Sequence, residues 1–248
     1  MKKLSYILFL FIAIALLSSC SDSHWLDFAK STGDIVRIER PLEGTFDTLV
    51  FNDNVNVEIT IGSEYKLELE GGENLLPGIE TPVKDSTITF SNKNRFNWVR
   101  SYKPKINAYL TLPHISKMEY NSVGTITNTG TIRQSYLDIS GVGGSGYIKL
   151  DLNVNELKVA FVNGAIDADL KGRVGAFYAF NDGMGVFRCY ELNTGFLYIT
   201  NKAANNCYVN VSNTIEYIIE GVGDIYLKGN PPNISGTASG GGKLVISD

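Results

Sequence analysis

Two aspartates, Asp167 and Asp169, are the residues best placed for acid–base chemistry, because alternation of apolar and polar residues puts both on one outward strand face. Lys149 and Asp151 lie one predicted repeat earlier, and Arg188 lies one repeat later. Paired carboxylates beside cations could cleave a polysaccharide. Alternating Lys and Asp are also typical of a solvated sheet face, where charges pair between strands. We favour this second interpretation, which predicts no enzyme, and keep a polysaccharide-active β-helix enzyme as the alternative.

Residues for metal or nucleophilic chemistry are scarce. The chain has two histidines, His24 and His114, which lie far apart, and three cysteines. No His or Cys stands at ligand spacing, so neither a His-based metal site nor a His-dependent triad is predicted. The glycine-rich stretches are not followed by a helix or by a Lys-Ser/Thr pair, which argues against a phosphate-binding loop. We therefore predict no cofactor and no metal.

One group of aromatic residues belongs to the second strands of successive repeats. By alternation, Ala160, then Tyr178 and Phe180, then Tyr198 and Thr200 point outward. Such a stripe can stack on sugar rings or cover the apolar surface of a partner protein. The alternative is that a loop or the N-terminal strands cover the stripe as a second layer of core.

A second aromatic group stands between two predicted strands. Phe96, Trp98 and Tyr102 are interleaved there with Arg95 and Arg100. Exposed Trp and Arg are the residues that binding hot spots prefer, so these aromatics are a second candidate ligand site. The alternative is that Trp98 caps the open end or side of the repeat array.

The N-terminus has the pattern of an export signal. Lys2 and Lys3 precede an unbroken apolar run from Tyr6 to Leu17, which is too short for a membrane span. Leu17-Ser-Ser-Cys20 resembles a bacterial lipobox, whose cleavage and diacylation would leave Cys20 as the lipidated first residue. The alternative is a plain signal peptide with a chance Cys.

The lipobox predicts how the chain is organised and where it is found. Residues 1–19 are the predicted lipoprotein signal peptide, 20–42 the lipidated Cys with a polar tether, and 43–248 the folded domain. Acyl chains on Cys20 would anchor the protein stably in a membrane. Asp22 does not directly follow the Cys, which favours the outer membrane over retention in the inner membrane, with the protein on either the cell surface or the periplasmic face.

The composition restricts the possible partners. The 248 residues include 22 Lys plus Arg and 26 Asp plus Glu, for a net charge of −4 with only 19% charged residues. Such a chain has no basic field with which to neutralise phosphates, so nucleic acid is not an expected partner. The hydrophobic fraction of 44% is too high for a disordered chain.

From Phe46 onward the chain alternates apolar and polar residues in short runs, which predicts a nearly all-β domain. Val55–Ile61 and Tyr65–Leu69 flank a Gly-Ser turn and predict a hairpin. Thr87–Phe90 and Ala108–Leu112 are two further predicted strands.

The second half of the chain repeats glycine turns at intervals of roughly 20 residues, the length of a solenoid rung. These turns are Ser122–Ile126, Ser140–Gly143, Val162–Ile166, Asn181–Phe187, Glu220–Ile225 and Ser239–Leu244. Each unit between turns carries two short strands, and stacking the units about 4.8 Å apart buries one side chain in two. We expect the glycines to supply φ > 0. Asn201–Asn205 lacks glycine, which predicts an irregular coil near residue 200.

The remaining cysteines, Cys189 and Cys207, are predicted to face inward on neighbouring rungs. Alternation aligns Cys207 with Phe187 and Cys189 with Val209. The resulting offset puts the two Cα atoms roughly 8 Å apart, beyond the reach of an unstrained disulfide. We favour two buried free thiols, while a register error of two residues would instead permit a disulfide.

Several of these segments together resemble the GIN-domain family, the head domains of autotransporter adhesins, many of which are lipoproteins. The resemblance covers roughly residues 43–246 and is carried by the glycine turns and by Phe46–Leu49, Val55–Gly62, Glu73–Leu76 and Tyr109–Pro113. It implies a right-handed parallel β-helix-like solenoid, an extracytoplasmic location and a binding role. It transfers no catalytic residue.

The sequence thus predicts an all-β parallel solenoid with N-terminal strands, held by a lipid on Cys20 and acting as a binding or adhesion module. The expected ligand is a glycan or a protein. Besides an enzyme, the other alternative is a structural or envelope-assembly protein that recognises another lipoprotein, or itself, through the unprotected end of the solenoid.

Overall fold

The computed structural model describes residues 32–94 and 105–247. Within these ranges the regular structure is β-strand, apart from one 3-10 turn at Leu76–Gly78, and no helix is long and apolar enough to cross a membrane. The strands are β1 (Ile35–Glu39), β2 (Thr48–Asp53), β3 (Asn56–Ile61), β4 (Lys66–Gly72), β5 (Ile79–Glu80), β6 (Val83–Lys84), β7 (Thr87–Asn92), β8 (Asn107–Leu112), β9 (Lys117–Ser122), β10 (Thr125–Thr129), β11 (Ile132–Val142), β12 (Tyr147–Val162), β13 (Asp167–Asp182), β14 (Phe187–Asn201), β15 (Cys207–Ile219), β16 (Ile225–Lys228), β17 (Asn233–Ala238) and β18 (Leu244–Ser247).

Most of these strands stack in parallel into a β-solenoid of about seven turns with roughly 20-residue spacing, as the sequence predicts. Strands β11 to β15 each pair with the next strand along the chain. The two short strands expected in each unit are joined in β12 to β15 into single long strands that pass through a corner.

The corner divides the solenoid into two faces. Face A consists of the first halves of β12 to β15, preceded by β8, β3 and β10 and followed by β16 and β18. Face B consists of their second halves, preceded by β7, β2, β9 and the second half of β11 and followed by β17.

The core lies between the two faces and is built from aligned columns of apolar side chains. In one column, Leu157, Phe177, Leu197 and Ile215 follow one another in register, and each is at most 1% exposed. Burial of each such side chain is worth about 1.5–3 kcal/mol. A single rung cannot bury its apolar side chains alone, so the repeats must stack to be stable.

The N-terminal strands do not stack in chain order. Strand β2 lies between β7 and β9, and β3 lies between β8 and β10. The predicted hairpin of β3 and β4 is therefore wrong, because β8 lies between them, parallel to β3 and antiparallel to β4. The Gly62-Ser63 turn is a local signal, whereas both partners come from a distant segment.

The end of the solenoid nearest the N-terminus is closed by antiparallel pairing. Strand β1 pairs with β4, which places Ile38 opposite Leu69. Arg37 crosses this pairing to bind Glu68 at 2.9 Å and lies 3.8 Å from the centre of the Tyr109 ring. Strand β1 thus forms part of the folded body, although it lies within the segment predicted as a tether.

The glycine turns are required mainly by close approach of the backbone. Gly143 has a φ of 77°, as expected, but Gly185 does not have a positive φ. A Cβ on Gly185 would collide with the backbone carbonyl of Ile166 on the preceding rung. The expectation that these glycines generally supply φ > 0 is therefore wrong, because most of them make room for a neighbouring rung.

The turn without glycine is held by the side chain of Asn201. Its Nδ2 donates to the carbonyl oxygens of Asn205 at 3.3 Å and of Gly223 at 3.0 Å, and its Oδ1 accepts from the Ala203 N–H. The register shifts between β14 and β15 fall instead between residues 189 and 196. The irregularity expected at this turn thus lies at the corner between the faces.

Candidate ligand-binding surface

The structure brings the first predicted aromatic group together on the outer side of face B. Tyr178 pairs with Tyr198, and Phe180 pairs with Thr200 on the next rung. Their chain neighbours Phe177 and Ala179 point inward and are buried. Strict alternation along β13 and β14 therefore produces the outward stripe that the sequence predicts.

A fourth ring, Phe196, joins these three. Its centroid lies 5.9 Å from that of Tyr178, with the two planes tilted by 57°. We call Tyr178, Phe180, Phe196 and Tyr198 the face B patch. Sequence reasoning missed Phe196 because it directly follows the corner at Gly195, although its position two residues before Tyr198 indicates the same face.

The face B patch is accessible in its middle. Tyr178 is 39% exposed, Phe180, Phe196 and Tyr198 are half-buried, and Thr200 is only 7% exposed. The described N-terminal strands continue the solenoid beyond β9 and β10, and none of them packs over face B. The proposed second layer is therefore not supplied by strands β1 to β8.

Charged residues frame the face B patch. Lys202 lies 5.8 Å from the Phe180 ring centre and pairs with Glu220 at 2.9 Å. Lys158, next to Tyr178 in register, pairs with Glu156 at 3.3 Å. An apolar floor with a charged rim is the usual anatomy of a protein interaction surface.

The candidate catalytic carboxylates share the outer side of face A, but each has a partner. Asp167 binds Arg188 at 2.8 Å and accepts a hydrogen bond from the Val186 N–H at 2.9 Å. Asp169 accepts a hydrogen bond of 2.6 Å from the hydroxyl of Tyr147. This hydrogen bond, together with desolvation, raises the pKa of Tyr147 to about 12.

The remaining charges follow the same cross-rung pattern. Asp151 pairs with Lys171 at 3.4 Å, and Lys149 stands next to Asp169 in register. Asp167 and Asp169 are thus neighbours on one face, as predicted, within a row of ion pairs and hydrogen bonds that stabilises a solvated sheet.

A ladder of three tyrosines, which sequence reasoning missed, lies further along face A. The centroids of Tyr190 and Tyr208 are 5.4 Å apart, and those of Tyr208 and Tyr226 are 5.3 Å apart. The three tyrosines are equally spaced in the chain, and this spacing could have predicted the ladder. Because these half-buried rings contact one another, they stabilise the stacking of the rungs.

Two shallow polar depressions adjoin one another on the other half of face A. Their volumes are about 370 and 390 Å³, and they share Glu58 and Thr127. Thr127 is a short side chain between Glu58 and Lys149 in the ladder, which explains the dip in the surface. Tyr109 lines the second depression, and its ring lies under Arg37.

The two cysteines are buried and unbridged, as predicted. Cys207 pairs with Phe187 and Cys189 with Val209, which confirms the predicted register. Burial raises the pKa of Cys207 to about 12 and that of Cys189 further still. Neither thiol is therefore a nucleophile in the folded protein.

Four predicted site residues lie outside the described ranges and stay predictions: Cys20, Phe96, Trp98 and Tyr102. Within residues 32–94 and 105–247, no three His, Cys, Asp or Glu side chains are grouped so that they could hold a metal ion.

The fold and the face B patch define a class of protein: a parallel β-solenoid that presents a rigid surface with exposed aromatic rings. The model of a family described as "Putative auto-transporter adhesin, head GIN domain" matches residues 45–231, and the chain belongs to this family. The resemblance seen in the sequence is thereby confirmed. None of the curated proteins matches this sequence.

Solved structures share the fold. A protein of Bacteroides fragilis described as a putative adhesin is 22% identical, with a TM-score of 0.79 over 86% of this chain and 97% of that one. A Parabacteroides distasonis protein described as a putative lipid binding protein is 16% identical, with a TM-score of 0.63 over 88% and 98%. A putative adhesin of Parabacteroides merdae is also 16% identical, with a TM-score of 0.60 over the same shares.

Proposed function

We propose that the chain is an envelope lipoprotein that binds an extracellular ligand through the face B patch and so acts as an adhesion module. The observation that carries the proposal is the group of four neighbouring rings on the outer side of face B, with Tyr178 39% exposed. The family description, which names adhesin heads, supports the same role.

The chemistry of the patch favours a glycan as the ligand. Tyr178 and Tyr198 occupy adjacent rungs, so their backbones stand at the strand spacing of about 4.8 Å, and the ring of Phe196 lies 5.9 Å from that of Tyr178. Aromatic faces stack on the C–H faces of sugars, and phenolic hydroxyls donate and accept hydrogen bonds beside them. The solenoid holds both rings on regular strands, which lowers the entropic cost of binding.

The proposed anchor is a lipid on Cys20, with residues 1–19 removed and the following polar residues acting as a tether. Strand β1 lies at the end of the solenoid where β4 and β8 pair, so this end would be nearest the membrane. Along face B, β13 stands five strand spacings beyond β7, or roughly 24 Å further out. The patch would then be presented clear of the bilayer surface.

Two measurements test the proposal. Protease treatment of intact cells should remove the protein if it is displayed outside. The chain from residue 20, with Cys20→Ser, should bind saturably to members of a glycan array, with matrix proteins printed on the same array. Protection from protease together with an empty array would contradict the proposed function.

A further inference from the structure

The end of the solenoid at β17 and β18 is open. Ile234 aligns with buried Ile215, and Ile246 aligns with buried Leu227, so both stand in inward columns. They are nevertheless 47% and 57% exposed. Strand β17 pairs only with β15, and β18 only with β16, among the described strands. Within residues 32–94 and 105–247, the hydrophobic core thus reaches this end without a cap, although solenoids need one.

The two strands at this end lack the charged residues and prolines that usually protect an edge against strand pairing. Asn233–Ala238 and Leu244–Ser247 contain no charged residue and no proline. Natural sheets normally protect such edges with Lys, Pro or a bulge. At the other end, by contrast, β1 carries Arg37 and Glu39.

The described residues at the opposite end lie far from the open end. Asn94 and Lys105 adjoin β7 and β8 in the terminal rung on that side. On face A, β18 is eight strand spacings from β8, or about 38 Å.

We propose that the open end is an interface with a second copy of this chain, the two copies meeting end to end across a two-fold axis perpendicular to the solenoid axis. Strands related by such an axis run antiparallel, so the free edges of the two terminal rungs pair. Ile234 and Ile246 of each copy become buried against the other. Uncharged edges suit pairing between two identical chains. A charge on such an edge would lie close to the same charge on the other chain across the two-fold axis, and the two would repel.

The two-fold symmetry of this dimer has a consequence for adhesion. This consequence rests on the proposed lipid anchor. The two β1 ends point in opposite directions, so the two anchors lie on opposite sides of the dimer. Lipids attached at both ends would therefore sit in two membranes that face each other. The dimer would bridge two envelopes of the same kind, a homophilic contact separate from ligand binding at the face B patch.

Analytical ultracentrifugation tests the interface. We expect the chain from residue 20, with Cys20→Ser, to sediment as a concentration-dependent dimer between about 1 and 100 µM. Ile246→Lys should raise the dimer dissociation constant at least about tenfold, because a charge enters an apolar column. Thr237→Lys should raise the dissociation constant less, by placing like charges on two paired edges. Ile35→Lys is the matched control, since it alters an exposed isoleucine at the opposite end.

A monomer at every concentration, a series of species larger than the dimer, or an equal effect of Ile35→Lys would overturn the proposal. Circular dichroism and the melting temperature verify that each variant is folded, and Thr237→Lys alters only an exposed side chain of β17. Ile246→Lys should leave array binding unchanged. If the chain dimerises but binds nothing on the array, only the proposed ligand binding is rejected. If the chain binds the array but stays monomeric, only the proposed interface is rejected.

Discussion

At the scale of single residues, Tyr178 and Tyr198 owe their proximity to two properties of the chain. Alternation sends both side chains outward, and a repeat of one rung brings them into register. The two residues lie one repeat apart in the chain, so their proximity comes from the stacking of the rungs. This is why a surface made of residues far apart in the chain could be predicted from spacing alone.

The buried thiols provide a test at the residue scale. We expect neither Cys189 nor Cys207 to react with Ellman's reagent at pH 8, because burial holds both in the protonated form. Addition of guanidinium should release both thiols in the Cys20→Ser chain. Rapid labelling of either Cys in the native protein, with circular dichroism unchanged, would show that the inward register is wrong.

The same thiols predict how stability depends on pH. Their pKa is raised on folding from an ordinary value of 9.0, so the unfolded chain loses these protons first as pH rises. The stabilisation is therefore complete below about pH 9 and is lost as pH rises toward the folded pKa. Urea unfolding at pH 8 and pH 10 should show a smaller loss of stability for the Cys189→Ala/Cys207→Ala variant than for its parent. Equal losses would contradict the assignment.

At the scale of the elements, the sequence alone was sufficient to predict the repeating part of the fold. Each rung from β12 to β15 repeats the same local constraints, namely period-two alternation and a close turn, so the solenoid follows from them. The N-terminal strands are different, because β3 and β4 both pair with β8, which arrives from a distant segment. No local pattern specifies that insertion, and the hairpin prediction failed there.

Corners limited the prediction of the candidate surface. Phe196 follows directly after Gly195, where the register between β14 and β15 shifts, so alternation counted through the corner is unreliable. The fourth ring of the patch was missed for this reason. Tyr178, Phe180 and Tyr198 lie within regular strand and were assigned to the correct face.

Substitutions at two glycines can distinguish the need for close packing between rungs from the need for a positive φ. Gly185→Ala should cost about 3 kcal/mol of unfolding free energy, because the new Cβ meets the Ile166 backbone. Gly130→Ala should cost only about 1 kcal/mol, since Gly130 has a φ of 72° but open space around it. Urea denaturation measures both values. The reverse order would show that turn geometry, and not rung contact, selects these glycines.

At the scale of the whole molecule, the solenoid has a different surface on each part. Its closed end carries β1, the described strand nearest to Cys20 in the sequence, and face B carries the aromatic rings. Its open end carries uncharged edges. A rigid body of this kind can keep a membrane anchor, a ligand and a second copy apart, which suits an adhesin head.

The anchor makes a prediction at the same scale. Cys20→Ala should abolish labelling of the protein with radioactive palmitate, because the sulfur of Cys20 is the proposed attachment atom. Cys189→Ala is the matched control and should stay labelled. Palmitate incorporation into the Cys20→Ala protein would show that the lipid, if any, is attached elsewhere.

Binding by the face B patch is the central claim, and one comparison tests it most directly. The Cys20→Ser chain and its Tyr178→Ala/Tyr198→Ala variant are applied to the same glycan and matrix-protein array, with Tyr208→Ala on face A as the control. We expect the double variant to lose at least about tenfold in affinity, since hot-spot aromatics contribute 2 kcal/mol or more, while Tyr208→Ala binds like its parent. Unchanged affinity of a folded double variant for every bound probe would contradict the account.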